Sequence, residues 1–134
     1  MTPAVAQGVV GVGTDLVDVD RFRRVLARTP TLADRVFTTG ERAYADRQRD
    51  PTERLAVRFA AKEAVLKALG AGLGAAPLHD IEVVRDDSGR PDLVLHGAAA
   101  ELAATRGVTA WLVTLSHTSL MAQATVIALQ ATSG

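Results

Sequence analysis

The chain has 134 residues, of which 48% are hydrophobic, and its 15 Lys and Arg balance its 15 Asp and Glu. This length suits one domain around a single core, and zero net charge gives no overall electrostatic case for binding nucleic acid. No apolar window is long enough to span a bilayer, and the absence of cysteine excludes a disulfide framework. We therefore expect residues 1–134 to form one cytoplasmic domain with no membrane partner, in which residues 1–7 are a flexible N-terminus without a secretory signal.

The first predicted element is a strand in GVVGVGTDLV, residues 8–17. Alternation places Asp15 on the same face as Gly11 and Gly13. Glycine permits close approach of a ligand or another backbone, so this face could present the carboxylate in a cleft. The alternative is an edge-strand Asp beside a bulge, and the residues alone leave both interpretations open.

A helix is predicted directly after this strand, with Asp18 as its N-cap and Pro30 near its end. Arg21, Arg24 and Arg28 lie on one side of it at helical spacing. Such a stripe is most simply a solvated face, and its functional interpretation is a docking surface for an acidic partner helix.

The strongest helix signal lies in DPTERLAVRFAAKEAVLKALG, after a short helical piece expected at residues 41–49. Asp50 can cap this helix, Pro51 suits its first position and Glu53 completes a capping-box pattern. Gly70 can end it in a left-handed turn. We expect a long central helix that is buried over most of its surface.

Three charged residues, Lys62, Glu63 and Lys67, interrupt the apolar stretch FAAKEAVLKALG, residues 59–70 of this helix, and they include both lysines of the chain. Glu63 and Lys67 are four positions apart, but an ion pair of this spacing contributes only about 0.2–0.5 kcal/mol. That is too little to explain polar groups in a largely apolar helix. Lys62 falls inside the apolar stripe, where its stem could pack while its ammonium reaches out of the core.

The remaining elements are mostly strands. A glycine-rich loop is followed by a predicted hairpin at residues 81–85 and 92–95, a short helix at 98–105, and two strands, 108–117 and 120–130. The order of elements predicts an α+β fold in which an antiparallel sheet packs against the long central helix.

Asp15, Glu63 and Lys67 together form a set suited to phosphate chemistry. Mg²⁺ commonly takes one or two protein carboxylates, and an ammonium can offset charge that grows on a departing phosphate. His117, at a predicted strand end, could donate to a phosphate or be structural. The sequence contains no Walker A motif, no zinc-ligand spacing and no nucleophile elbow.

Four blocks of the sequence resemble one known family. They are GVGTDLVDVDRF, RFAAKEAVLKALG, DIEVVRDDSGRPDLVLHG and VTLSHTSLMAQATVIA, in this order. With these four blocks in this order, the chain resembles the bacterial holo-acyl-carrier-protein synthases, the small class of 4′-phosphopantetheinyl transferases. The resemblance extends over about residues 8–129. It departs from the commonest pattern at Thr14, where an apolar residue is frequent, and at Met121, where an aromatic residue is frequent.

The resemblance implies an Mg²⁺-dependent enzyme that moves 4′-phosphopantetheine from coenzyme A to a serine of apo acyl carrier protein and releases 3′,5′-ADP. It assigns the metal to Asp15 and Glu63 and places Lys67 near the diphosphate. The predicted coenzyme A contacts are Arg58, Lys62, Lys67, Gly89, Arg90, Pro91, His117 and Thr118. It also implies a homotrimer with sites between subunits, and a first helix that docks the acidic carrier through Arg21, Arg24 and Arg28.

The predicted mechanism is in-line attack of the carrier serine on the β-phosphorus of coenzyme A. The base is left open between Glu63 and a water oriented by Asp15. Three other functions are weighed: a non-catalytic carrier-binding subunit, an Mg²⁺-dependent diphosphate hydrolase, and a nucleic-acid-binding domain, which zero net charge disfavours. Whether the carrier serves fatty-acid, polyketide or peptide assembly stays open.

Overall fold

The computed structural model describes residues 8–131, so the predicted flexible N-terminus, residues 1–7, lies outside the described part. The elements, in chain order, are β1 (Val9–Asp18), α1 (Val19–Arg28), α2 (Thr31–Val36), α3 (Thr39–Ala45), α4 (Thr52–Ala68), a 3₁₀ turn (Leu78–Asp80), β2 (Ile81–Arg85), β3 (Pro91–Leu95), α5 (Gly97–Thr105), β4 (Ala110–His117) and β5 (Met121–Leu129). None of the helices within residues 8–131 has the length and apolar character needed to cross a bilayer.

The strands form two antiparallel sheets. One has three strands in the order β1-β5-β4, and the other is the β2-β3 hairpin. The predicted α+β fold is confirmed, and the predicted hairpin, α5 and last two strands agree with the structure to within two residues.

The helix α2 was not predicted, because six residues are too few to show a helical period. Its end is held by tertiary packing, since Val36 and Phe37 are buried and the Phe37 ring lies 6.3 Å from that of Phe22.

The long helix α4 packs directly on β1 through small residues. A Cβ built on Gly11 would lie 1.8 Å from the carbonyl oxygen of Ala68, and one on Gly13 would lie 1.9 Å from that of Ala64. The close approach that these glycines permit is therefore made by the backbone of α4. Asp15 follows on the same face of β1, so this packing brings its carboxylate beside the helix.

Replacing Gly13 by Ala is expected to destabilise the fold by about 2–3 kcal/mol, because the new methyl must push a helix backbone away from the sheet. Chemical denaturation of the variant measures this loss. Gly72→Ala is the matched control, since a Cβ there meets no atom within 4 Å. Equal stability of the two variants would contradict the packing described here.

The start of α4 differs from the prediction in one respect. Asp50 acts at this end as expected, because its Oδ1 accepts hydrogen bonds from the Thr52 amide at 3.0 Å and the Thr52 hydroxyl at 2.6 Å. The capping-box role predicted for Glu53 is wrong, since no side chain caps the Pro51 position and Glu53 instead contacts His117. Asp50 already satisfies the first-turn amide, which leaves Glu53 free to reach another element.

Candidate active site

Asp15, Glu63 and Lys67 line one cavity of about 790 Å³ between β1, α1 and α4. Lys67 Nζ donates to Asp15 Oδ1 and to the carbonyl oxygen of Thr14, both at 2.9 Å. The ion pair of Lys67 thus joins helix to strand, and the alternative pair with Glu63 on the same helix is not formed within the described residues. Lys67 therefore connects α4 to β1, which helps to explain why a charged residue lies in this largely apolar helix.

The two carboxylates affect each other electrostatically. The pKa of Glu63 is raised, first because burial disfavours its charged form and then because the negative charge of Asp15 is near; the Lys67 ammonium opposes both effects. A cation between the two carboxylates would relieve this repulsion. Residues 8–131 hold no cluster of three or more His, Cys, Asp or Glu suited to a metal. Two carboxylates still fit Mg²⁺, which usually keeps water and substrate oxygens in its shell.

The rest of this cavity is mainly apolar. Its apolar lining comes from α1, α2, α4 and the loop after α4, and includes the side chains of Phe22, Val25, Leu32, Phe59 and Leu73. Such a wall suits an extended uncharged chain lying beside a phosphate site. The cavity therefore combines charged groups suited to phosphate chemistry with apolar side chains in one lining.

The arginine stripe of α1 lies next to this cavity. Arg21, Arg24 and Arg28 are all exposed, and none forms an ion pair with another described residue. Arg23, on another side of the helix, pairs with Asp20 and lies 2.9 Å from Asp50. Because Arg21 also lines the cavity, the unpaired cations extend from the cavity rim outwards along α1.

Arg58 lies at a second cavity, of about 410 Å³, on another side of α4. Its side chain is 2% exposed, and its Nε–H is buried with no hydrogen-bond acceptor among the described residues. Burial and then the charge of Arg85 lower its pKa.

Tyr44, which sequence reasoning missed, lines this second cavity. Four guanidinium groups lie around its ring, with centroid distances of 4.4 Å for Arg54, 4.5 Å for Arg58, 5.0 Å for Arg85 and 5.3 Å for Arg47. None of the four forms an ion pair within residues 8–131. The cluster is suited to an anionic ligand, since cation–π contacts hold the arginines together without neutralising them.

His117 and Thr118 lie at the end of β4 and in the turn before β5. The Thr118 hydroxyl accepts hydrogen bonds from the amides of Leu120 and Met121, both at 3.1 Å, so its own proton is free to be donated. His117 Nδ1 lies 3.0 Å from Glu53 Oε1.

The turn between β2 and β3 lines neither of these two cavities, but its Gly89 carbonyl oxygen accepts a hydrogen bond of 2.7 Å from Arg85 of the second cavity. Gly89 has a φ of +86°, which glycine adopts without strain. Arg90 and Pro91 line a third cavity, of about 480 Å³, together with Trp111 of β4. Within one chain, the predicted coenzyme A contacts are therefore distributed over separate regions of the surface.

The expectation that the Lys62 ammonium reaches out of the core is wrong. Lys62 is fully buried, and its Nζ donates to Glu41 Oε1 at 2.8 Å, to the carbonyl oxygen of Leu78 at 3.0 Å and to that of Ile81. Three acceptors use all three ammonium protons, so none is left for a ligand in this structure. Glu41 comes from α3, and nothing local in the sequence indicates that it meets Lys62.

The sequence of the chain is similar to proteins of one family. Residues 11–124 match the model of the 4′-phosphopantetheinyl transferase superfamily. The chain is 51% identical over 120 residues to a holo-[acyl-carrier-protein] synthase of Salinispora arenicola, covering 90% of this chain and 98% of that protein.

Two solved structures illustrate the similarity of fold. The acyl carrier protein synthase of Mycobacterium tuberculosis is 40% identical with a TM-score of 0.71, over 93% of this chain and all of that one (100%). A holo-(acyl-carrier-protein) synthase of Bacillus anthracis, solved in complex with CoA (3′,5′-ADP), is 31% identical with a TM-score of 0.76, over 92% of this chain and 99% of that one.

Proposed function

The chain belongs to the holo-[acyl-carrier-protein] synthases, enzymes of the 4′-phosphopantetheinyl transferase superfamily, and on this premise we propose the reaction that it catalyses. It transfers 4′-phosphopantetheine from coenzyme A to a serine of apo acyl carrier protein, with Mg²⁺, and releases 3′,5′-ADP. This proposal rests on one observation: Asp15, Glu63 and Lys67 line the same cavity, next to arginines of α1 that form no ion pair within the described residues.

Asp15 and Glu63 are the residues that would hold Mg²⁺. The raised pKa of Glu63, caused by burial and by the charge of Asp15, marks a place where a cation is favoured. When bound there, Mg²⁺ supplies Lewis-acid stabilisation of charge developing on the diphosphate.

Lys67 and the two carboxylates then have separate tasks in the transfer. The serine oxygen of the carrier forms a bond to the β-phosphorus of coenzyme A while the bond from that phosphorus to the bridging oxygen breaks, so 3′,5′-ADP departs. Lys67, held beside Asp15, stabilises the negative charge on the departing phosphate. The serine proton passes to Glu63 or to a water that Asp15 orients.

The arginine cluster around Tyr44 is proposed to receive the phosphorylated nucleotide end of coenzyme A. Its Arg47 and Arg85 are exposed and form no ion pair within residues 8–131, so a phosphate group would be a suitable partner for them. The Gly89–Pro91 turn belongs to the same proposed contact set and adjoins the cluster through the hydrogen bond from Arg85 to the Gly89 carbonyl oxygen, whereas His117 and Thr118 lie at the end of β4 and in the turn after it. A homotrimer with sites between subunits would bring such separate surfaces together.

The outer face of the three-stranded sheet supports association between copies. Val12 is 59% exposed and Leu112 53% exposed, and these two residues pair with Ile127 of the central strand in one row across the sheet. An exposed apolar row of this kind is typical of an interface. Replacing Val12 by Arg is therefore expected to convert the trimer to monomers and to abolish transfer, as measured by light scattering and activity.

Val94→Arg is the matched control for this prediction, because Val94 is an exposed valine on β3, outside that sheet. Retention of the trimer by Val12→Arg would show that the outer sheet face is not the interface. Loss of the trimer in both variants would point to general destabilisation instead.

Carrier docking is proposed to use Arg21, Arg24 and Arg28. Changing all three to Ala is expected to raise the KM for the carrier about tenfold or more at low salt, with a smaller effect at high salt, because their charges mainly speed encounter. Steady-state kinetics with the KM for coenzyme A as internal reference measure this. Arg35→Ala, an exposed arginine of α2, is the control and should behave as wild type.

Incubation with coenzyme A, Mg²⁺ and apo carrier, followed by mass spectrometry, tests the function. The expected result is a carrier that has gained one phosphopantetheine. Carrier binding without a mass gain would favour the non-catalytic subunit, and consumption of coenzyme A without carrier would favour the diphosphate hydrolase. Running carriers from fatty-acid, polyketide and peptide assembly side by side identifies the preferred one. The cytoplasmic location stays a prediction.

A further inference from the structure

A side-chain contact between Glu53 and His117 joins the first turn of α4 to the end of β4. Glu53 Oε1 lies 3.0 Å from His117 Nδ1, and the two side chains are 40% and 41% exposed. Glu53 is not engaged in capping α4, because Asp50 satisfies the Thr52 amide. The position of the Glu53 side chain is therefore not explained by helix capping.

This contact determines which ring nitrogen of His117 is free. An ionised carboxylate accepts hydrogen bonds and cannot donate them, so Nδ1 must carry the proton that lies between the two groups. Nε2 has no hydrogen-bond partner among the described residues. The adjacent Thr118 hydroxyl, whose oxygen already accepts two amide protons, also has a proton to donate at this end of the sheet.

We propose that Glu53 is a positioning residue, which holds the Nδ1–H of His117 and thereby presents Nε2 to a phosphate group of coenzyme A. This inference rests on the proposed function, in which His117 contacts coenzyme A. This contact requires a proton on both ring nitrogens, because Glu53 accepts from Nδ1 and a phosphate oxygen accepts from Nε2. Without Glu53 the ring loses the partner that fixes its orientation towards the phosphate. Glu53 itself touches no substrate.

A purely structural role for Glu53 makes different predictions. A half-exposed ion pair adds little to stability, and its removal would leave coenzyme A binding unchanged. A positioning role instead changes the state of the His117 ring and the KM for coenzyme A. Glu53→Gln separates shape from charge, because its amide oxygen can still accept the Nδ1–H.

The first test identifies the protonated nitrogen of the His117 ring directly, in the absence of substrate. Long-range ¹H–¹⁵N NMR spectra of the full chain, with His117 assigned by its loss in His117→Gln, report which nitrogen is protonated in the neutral ring. We expect the Nδ1–H form in the wild type and in Glu53→Gln, and a shift to the Nε2–H form in Glu53→Ala. An unchanged tautomer in Glu53→Ala overturns the inference.

The second test measures transfer kinetics. Glu53→Ala is expected to raise the KM for coenzyme A about tenfold with a much smaller change in kcat. The KM of Glu53→Gln should lie close to that of the wild type. His117→Ala should raise the KM similarly, and the double variant Glu53→Ala/His117→Ala should be no worse than His117→Ala alone. Glu101→Ala, on the exposed side of α5, is the control and should match wild type.

Additive effects in the double variant, or a wild-type KM in Glu53→Ala, overturn the inference while leaving the transferase function intact. A wild-type KM in His117→Ala does the same, since there would be no contact to position. Absence of transfer by the wild-type protein refutes the proposed function, and the NMR experiment then still decides whether Glu53 sets the His117 tautomer. Thermal unfolding of each variant verifies that the fold is retained.

Discussion

Replacing Glu63 by Gln is expected to lower kcat for transfer to apo carrier by about 10³-fold while leaving the fold intact. The amide is a much weaker ligand for Mg²⁺ than a carboxylate, and it cannot accept the serine proton. The side chain keeps its size, so packing of α4 against β1 is retained. Transfer measured by mass spectrometry of the carrier, over a range of Mg²⁺ concentrations, checks this prediction.

Glu63→Gln should be no less stable than the wild type at neutral pH, although its activity is lost. Because the folded pKa of Glu63 is raised by burial and by Asp15, its ionised form at neutral pH is less favourable in the folded protein than in the unfolded one. The amide that replaces this carboxylate carries no charge, so the free energy of unfolding should be unchanged or higher at neutral pH. The difference should disappear as the pH falls below the ordinary range of a glutamate.

Glu101→Gln is the matched control for the chemical change, because Glu101 is an exposed helical glutamate outside every cavity described above. It should transfer at the wild-type rate. Near-normal turnover by Glu63→Gln would refute the assignment of this carboxylate to the metal and to the base. Loss of activity together with loss of stability would point to a packing role instead.

Replacing Lys62 by Met is expected to lower the free energy of unfolding by about 3–5 kcal/mol. The thioether fills the space of the lysine stem but leaves the Glu41 carboxylate buried and without its counter-ion. It also leaves the carbonyl oxygens of Leu78 and Ile81 without the ammonium donor. For a chain of this length the melting temperature should fall by about 10–15 °C.

The double variant Glu41→Gln/Lys62→Met distinguishes the unpaired charge from other causes. The amide oxygen introduced by Glu41→Gln can still accept from the Val83 amide, as Glu41 Oε2 does at 2.9 Å. Part of the stability should therefore return, because no charge is left buried alone. Lys67→Met, the change at the other lysine, which is 53% exposed, should alter stability little. A double variant no more stable than Lys62→Met would contradict this account.

Local structure was largely predictable because its causes are local. The period of the apolar residues predicted α4 and the last two strands, Asp18 caps α1 as expected, and the two glycines of β1 mark a close approach. The α+β fold and the family follow from this order of elements and from four quoted blocks of sequence.

The meeting of side chains from separate elements required the tertiary structure. Lys62 was expected to reach outwards and lies inside, because its acceptors come from α3 and from the segment leading into β2. Tyr44 showed no sequence signal, since its arginine partners are contributed by α4, β2 and the segment after α3. Glu53 matched a capping pattern but contacts a histidine 64 positions away.

The sequence by itself thus determined most of the elements, the family, and three predicted catalytic residues that the structure brings into one cavity. The tertiary structure decided the partners of the charged groups: Asp15 for Lys67, Glu41 for Lys62 and His117 for Glu53. The physical reason is that propensity, capping and periodicity act over a few neighbouring residues. The partner of a polar side chain, in contrast, depends on which elements pack together and on which donors and acceptors that packing removes from water.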